Sequence, residues 1–156
     1  METSIQTDCF PFNIPSLITS SSLNETVALG FRLASVLEKG SIIGIKGPLG
    51  AGKTCLVKGI AAGLGIKEVL TSPTYTIISE YEAVFSGENI PFFHIDAYRL
   101  AGDDDFADIG GEDIIFGNGI SVIEWSDRLP GLIPNEALKV DIEISGENER
   151  KVHIYY

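Results

Sequence analysis

The sequence predicts an α/β fold with a mostly parallel central sheet, flanking helices and an antiparallel extension at the C-terminus. Three observations lead to this prediction. Short apolar runs rich in isoleucine alternate with segments of helical periodicity, as they do in β-α-β units. A glycine-rich loop joins one of these runs to a helix. Near its end the chain alternates apolar and polar residues, which is typical of a strand with one wet face.

Length and composition indicate one globular unit. The 156 residues, of which 44% are hydrophobic, fall in the usual range for a single domain. Residues 1–21 contain two prolines and show no clear period, so we expect a flexible N-terminal arm. Residues 22–156 are expected to form a single domain.

The charge and the cysteines restrict the location and the partners of the chain. A formal net charge of -11 makes it a poor candidate to hold nucleic acid by itself. No apolar run approaches the roughly 20 residues of a membrane helix, and the N-terminus does not resemble a signal peptide. Cys9 and Cys55 stand alone, as is usual in a reducing compartment. We therefore expect a cytoplasmic protein without a membrane contact.

The first half of the domain is predicted to contain a helix, a strand, a loop and a second helix, in that order. Ser22 and Glu25 have the spacing of a capping box, and the helix that follows should end near Gly40. Residues 41–46 are predicted to form a buried strand, and residues 55–64 have helical spacing.

The second half is predicted to contain mostly strands. Residues 76–81, 90–96 and 120–125 are apolar and short, whereas residues 101–119 suggest loops with one or two short helices. Residues 138–144 alternate, and residues 150–156 are placed to return beside them after a turn.

The loop Gly47–Thr54 matches the phosphate-binding pattern G-x-x-x-x-G-K-[ST] in full. Backbone N–H groups of such a loop surround phosphate oxygens, and the positive end of the following helix dipole faces the same anion. Lys53 is placed to contact the β- and γ-phosphates, and the Thr54 hydroxyl to bind Mg²⁺. The sequence therefore predicts a P-loop NTPase fold that binds ATP and Mg²⁺, and we expect residues 22–156 to form this single P-loop ATPase domain. The other residues expected to contact the nucleotide are Leu49, Gly50, Ala51 and Gly52.

Two acids end apolar strands and are candidates for catalysis. Asp96 follows residues 91–95, and Glu124 follows residues 120–123. Both are expected at the sheet edge where phosphates bind in α/β proteins. One would hold the metal and the other would orient the attacking water, unless one of them merely caps a turn.

Four further side chains are weaker candidates. Thr74 lies in a polar turn and would sense the γ-phosphate if that turn acts as a switch loop. Arg99 is interpreted as a structural ion pair more readily than as a phosphate ligand. His94 and Trp125 are interpreted as structural and packing residues.

Four motifs together resemble the TsaE family, also called YjeE. The likeness covers about residues 22–144, and four motifs in order are far more specific than one phosphate loop. They are Gly47-Pro-Leu-Gly-Ala-Gly-Lys-Thr54, Ser72-Pro-Thr-Tyr-Thr76, His94-Ile-Asp-Ala-Tyr-Arg-Leu100 and Ile123-Glu-Trp125.

The resemblance implies a bacterial ATPase for the threonylcarbamoyladenosine modification of tRNA. Members of that family work with the partners TsaB and TsaD, so tRNA would be contacted only through the complex. By motif position, Lys53 and Thr54 would bind phosphate and Mg²⁺, and Glu124 would be a second Mg²⁺ ligand. Asp96 would act in catalysis or support the metal ligands, and Thr74 would lie on a switch-like loop.

Two other functions remain open at the level of sequence. A P-loop small-molecule kinase would need an acceptor pocket and usually an arginine-rich lid. The four arginines of this chain form no cluster in the sequence, which disfavours a kinase. A nucleotide-dependent binding module without hydrolysis would carry the same phosphate loop.

Overall fold

A computed structural model describes residues 13–73 and 75–156 of the chain. Its centre is a seven-stranded sheet in the order β1-β7-β6-β2-β5-β4-β3. The strands are β1 (Ser16–Ser20), β2 (Ile42–Lys46), β3 (Ile78–Phe85), β4 (Glu88–Asp96), β5 (Ile120–Glu124), β6 (Leu138–Ile144) and β7 (Arg150–Tyr155).

The predicted fold class is confirmed. The four middle strands, β6, β2, β5 and β4, are parallel to one another, and β7 returns antiparallel beside β6. A second antiparallel pair, β3–β4, closes the other edge of the sheet. Its two-residue turn has positive φ at Ser86 (49°) and Gly87 (80°), which is the geometry of a tight hairpin.

The N-terminal segment corrects one prediction. We expected residues 1–21 to form a flexible arm, but β1 pairs antiparallel with β7 from Ser16 to Ser20. Ile18 packs against the core, and the pairing satisfies backbone groups that β7 would otherwise present at an open edge. A strand of five residues after a proline has too short a pattern to be recognised. Residues 1–12, including Cys9, lie outside the described part of the chain.

Four α-helices accompany the sheet in the described residues. The predicted capping box is present: the Glu25 N–H donates to Ser22 Oγ at 3.1 Å, and the Ser21 N–H donates to Glu25 Oε2. The first helix ends earlier than expected and continues as a short 3₁₀ turn, Ala34–Val36. The helices are α1 (Leu23–Leu33), α2 (Lys53–Gly63), α3 (Asp103–Asp108) and α4 (Gly111–Ile115). None of the helices in residues 13–73 and 75–156 has both the length and the apolar character needed to cross a membrane.

The sheet separates two apolar clusters. On one side, α1 and α2 pack over residues such as Ile43 and Val122; on the other, α3 and α4 pack near Ile42 and Ile123. This alternation follows from the two-residue period of a strand buried on both faces.

Glycines set the distance between α1 and α2. A Cβ on Gly59 would lie 2.0 Å from the Val27 carbonyl oxygen, and one on Gly30 would lie 2.2 Å from the Leu56 carbonyl oxygen. The two helix backbones therefore touch, which fixes α2 and the loop at its N-terminus relative to the sheet.

Candidate functional site

The loop predicted to bind phosphate connects β2 to α2. Gly52 caps α2 with φ of 97°, a conformation that L side chains rarely adopt. The Leu56 N–H donates to the Gly52 carbonyl oxygen at 3.0 Å, so the helix begins directly at the end of the loop. The positive end of the α2 dipole therefore points into the concave side of the loop.

Lys53 is buried, with 5% of its surface exposed. Its Nζ donates to the carbonyl oxygens of Gly47 (2.7 Å) and Pro48 (2.8 Å) and lies 4.0 Å from the centre of the Trp125 ring. Burial lowers the pKa of Lys53, and the nearby charges of Glu124, Asp96 and Asp127 oppose this shift. The ammonium group is thus held within the loop, with carbonyl oxygens as its hydrogen-bond partners.

Glu124 connects the loop helix to the neighbouring strand. Its Oε1 accepts a hydrogen bond from Thr54 Oγ1 at 2.9 Å, and its Oε2 accepts one from His94 Nε2 at 2.6 Å. His94 is fully buried and Glu124 is 3% exposed. Each oxygen of this carboxylate therefore has its own fixed partner.

Asp96 lies directly opposite Glu124 in the pairing of β4 with β5. Its Oδ1 accepts from the Tyr98 N–H at 2.9 Å, and its Oδ2 accepts from Ser72 Oγ at 3.5 Å. Asp96 is 8% exposed, so both candidate carboxylates lie largely out of water at the carboxyl ends of parallel strands.

A cleft of about 400 Å³ brings most of the predicted residues together. Ala51 is fully buried and does not line the cleft, whereas Thr74 lies outside the described residues. The predicted residues that line it are Leu49, Gly50, Gly52, Lys53, Thr54, Asp96 and Glu124. They are joined by Leu23, Cys55, Ser72, Tyr98 and Trp125, for which no site role was predicted.

Two residues of this region were undervalued by the sequence reasoning. His94 was interpreted as structural, yet it donates to a candidate catalytic carboxylate. It stands two positions before Asp96 on one strand and hence on the same face, which is a signal that the sequence contained. Trp125 was interpreted as packing, but its left-handed backbone (φ of 58°) follows the end of β5 directly, and its ring lies against Lys53. No sequence pattern indicates that conformation.

The oxygen atoms in the cleft fit a magnesium ion better than a transition metal. Thr54 Oγ1 and Glu124 Oε1 are hard donors 2.9 Å apart. Within residues 13–73 and 75–156 there is no group of three or more His, Cys, Asp or Glu arranged to hold a metal. An ion here would complete its coordination with phosphate oxygens and water, as Mg²⁺ usually does.

Comparison with known proteins identifies the family. The model of the family "Threonylcarbamoyl adenosine biosynthesis protein TsaE" matches residues 20–152. The chain belongs to the TsaE family. The TsaE match runs from Ser20, the last residue of β1, to Val152 in the middle of β7, and it includes every residue discussed in the cleft.

Individual TsaE relatives agree with the family model. The TsaE protein of Treponema pallidum is 37% identical over 86% of this chain and 96% of its own length. The TsaE protein of Synechocystis is 41% identical over 70% of this chain and 69% of its own. The crystal structure of YdiB from Bacillus subtilis superposes with a TM-score of 0.69 at 30% identity, covering 92% of this chain and 87% of that one.

Proposed function

We propose that this chain is a Mg²⁺-dependent ATPase subunit of the machinery that makes threonylcarbamoyladenosine in tRNA. In this proposal it drives the turnover of a TsaB–TsaD partner complex. The observation that carries the proposal is the meeting of Lys53, Thr54 and Glu124 behind one glycine loop at the N-terminus of α2.

The loop and Lys53 supply the attraction for phosphate. The chain as a whole is acidic, so an anionic nucleotide needs a local positive region. Loop N–H groups and the dipole of α2 provide one part of it, and the Lys53 ammonium provides the other. Lys53 now donates to two loop carbonyls, and phosphate oxygens would be stronger acceptors for the same charged donor.

The two carboxylates give a physical reason for a metal requirement. Asp96 and Glu124 border the same cleft, and their charges would repel the phosphates of a nucleotide. A bound Mg²⁺ supplies charge neutralisation and polarises the transferred phosphoryl group. Thr54 and Glu124 are the residues that would hold it, with His94 fixing the orientation of the Glu124 carboxylate.

Asp96 is the residue that remains to orient the attacking water. Its Oδ1 accepts a hydrogen bond from the Tyr98 N–H, and the residue lies opposite Glu124 on the neighbouring strand and lines the same cleft. An aspartate in this position can accept a hydrogen bond from water and later its proton.

The family relationship supports a role in the threonylcarbamoyladenosine pathway, and the negative net charge of the chain supports an indirect contact with tRNA. The relatives are tRNA threonylcarbamoyladenosine biosynthesis proteins. With a net charge of -11, this chain would bind tRNA poorly by itself, so the proposed contact with tRNA runs through TsaB and TsaD. Such a role places the protein in the cytoplasm.

The test is ATP hydrolysis by the purified protein with Mg²⁺, alone and with TsaB–TsaD from the same organism. The proposal predicts slow turnover alone and faster turnover with the pair. Glu124→Ala should reduce turnover and raise the Mg²⁺ concentration needed, while Glu136→Ala, an exposed carboxylate outside the cleft, should change neither. A rate of ATP hydrolysis that is the same with and without TsaB–TsaD would reject the pathway role. Transfer of phosphate from ATP to a small molecule would favour a kinase. Binding of ATP without turnover under all these conditions would reject the ATPase.

A further inference from the structure

The hairpin formed by β6 and β7 lies against the phosphate loop at two points. A Cβ on Gly47 would lie 2.8 Å from the Ile142 carbonyl oxygen, so the start of the loop packs directly on β6. Three residues further along the loop, the Gly50 carbonyl oxygen accepts a hydrogen bond from Arg150 Nη2 at 3.3 Å. These contacts connect the C-terminal hairpin to the candidate nucleotide site.

Arg150 bridges the hairpin turn and the loop with one guanidinium group. Its Nη1 donates to the carbonyl oxygens of Gly146 (3.0 Å) and Glu149 (2.9 Å), with a longer contact to Glu147 (3.5 Å). The turn is therefore held by Nη1, and Nη2 is the atom that reaches across to Gly50.

Among the described residues, no carboxylate forms an ion pair with Arg150. The ion pairs among the described residues are Lys39–Glu88 and His94–Glu124, and neither includes Arg150. The side chain is partly buried, and its Nε is enclosed without a hydrogen-bond partner in the described part of the chain. Carbonyl oxygens carry no net charge, so these partners do not cancel the positive charge of the guanidinium group. Its positive electrostatic potential therefore extends to the adjacent phosphate loop.

From these contacts we propose that Arg150 is a positioning residue for the phosphate loop, which it holds through Gly50 while adding positive potential for nucleotide phosphates. The proposal rests on the proposed nucleotide-binding function. It assigns a role in the nucleotide site to the C-terminal hairpin, which none of the sequence motifs of the site includes.

Three variants test the proposal by calorimetric titration with ADP and Mg²⁺. Arg150→Gln removes the charge and the bridge and should weaken ADP binding about three- to tenfold, since a partly exposed charged hydrogen bond is lost. Arg150→Lys keeps the charge and should recover part of that loss. Lys151→Gln removes one positive charge from the next residue, which is exposed on the other face of β7, and should bind ADP as the wild type does.

Amide NMR of the nucleotide-free protein tests the contact without any ligand. Arg150→Gln should shift the Gly50 and Ala51 amide resonances and lower their order parameters, whereas Lys151→Gln should not. If the wild type binds no nucleotide but the loop amides respond to Arg150→Gln, the proposed function fails and the loop contact stands. If Arg150→Gln lowers only the melting temperature and leaves ADP affinity and the loop amides unchanged, the proposal is overturned.

Discussion

His94 and Glu124 form a buried hydrogen bond of 2.6 Å between Nε2 and Oε2 across the pairing of β4 with β5. The Nδ1 atom of the same ring is buried and has no hydrogen-bond partner among the described residues. The contact fixes one oxygen of Glu124 and leaves the other, which Thr54 contacts, directed at the cleft. We interpret His94 as the residue that orients the carboxylate proposed to bind Mg²⁺.

The orienting role predicts a specific effect of His94→Leu. Leucine fills a buried position but donates no hydrogen bond, so Glu124 should lose its fixed orientation. Loss of such a supporting contact usually lowers metal affinity about 10- to 100-fold, and we expect the Mg²⁺ concentration for half-maximal hydrolysis to rise accordingly. The measurement is a Mg²⁺ titration of ATP hydrolysis at saturating nucleotide.

His94→Gln is the matched control for that variant. Its side-chain amide places a donor near the former Nε2 position, and we expect a Mg²⁺ requirement close to that of the wild type. If His94 serves only to fill space, the order reverses: leucine is tolerated with an unchanged Mg²⁺ titration, and glutamine destabilises the core.

Burial of Lys53 predicts a particular dependence of stability on pH. The pKa of Lys53 is lowered in the folded protein, so between that value and the unfolded value near 10.5 the unfolded chain binds more protons. The contribution of Lys53 to stability therefore rises as pH increases through this window. Wild-type protein should gain stability relative to Lys53→Met as the pH is raised toward 10.5, without nucleotide present.

Denaturant unfolding of both proteins at a series of alkaline pH values provides the measurement. Burial also raises the pKa of Tyr155, but this group is present in both proteins and cancels in the difference. A difference that stays constant over the whole window would show that Lys53 is not desolvated in the folded state.

Contact between α1 and α2 predicts that Gly59→Ala is strongly destabilising. The new Cβ would overlap the Val27 carbonyl oxygen, so the helices must separate. Overpacking of this kind typically costs about 1–3 kcal/mol. Ala62→Ser adds one atom to the exposed side of the same helix and should change stability by less than about 0.5 kcal/mol. Equal unfolding midpoints for wild type and Gly59→Ala would mean that the helices are not in contact as described.

Much of the fold was predictable because its signals are local. The strand, glycine loop and helix around Gly47–Thr54, the capping box at Ser22 and the alternation in β6 each depend on residues close in sequence, and each of these local structures appears in the structure. Strand β1 was missed because five residues are too few to show a clear strand period, and the strand is stabilised by its pairing with β7. Pairing of distant segments is not encoded in a short window of sequence.

The same division applies to the site. That Lys53, Thr54, Asp96 and Glu124 line one cleft could be predicted, because glycine loops and strand ends have a fixed place in α/β sheets. The contacts of Trp125 were not predictable, because they follow from an unusual backbone conformation at the end of β5. The role of Arg150 depends on a contact between residues 100 positions apart.

The central claim is that the loop and Lys53 form a site for a nucleotide with Mg²⁺. Calorimetric titration of the purified protein with ADP and Mg²⁺ tests it most directly, with Lys53→Ala as the test variant and Lys58→Ala, an exposed lysine on the same helix, as the control. The account predicts binding by the wild type and by Lys58→Ala, and loss of measurable binding for Lys53→Ala. Unchanged affinity in Lys53→Ala would contradict it.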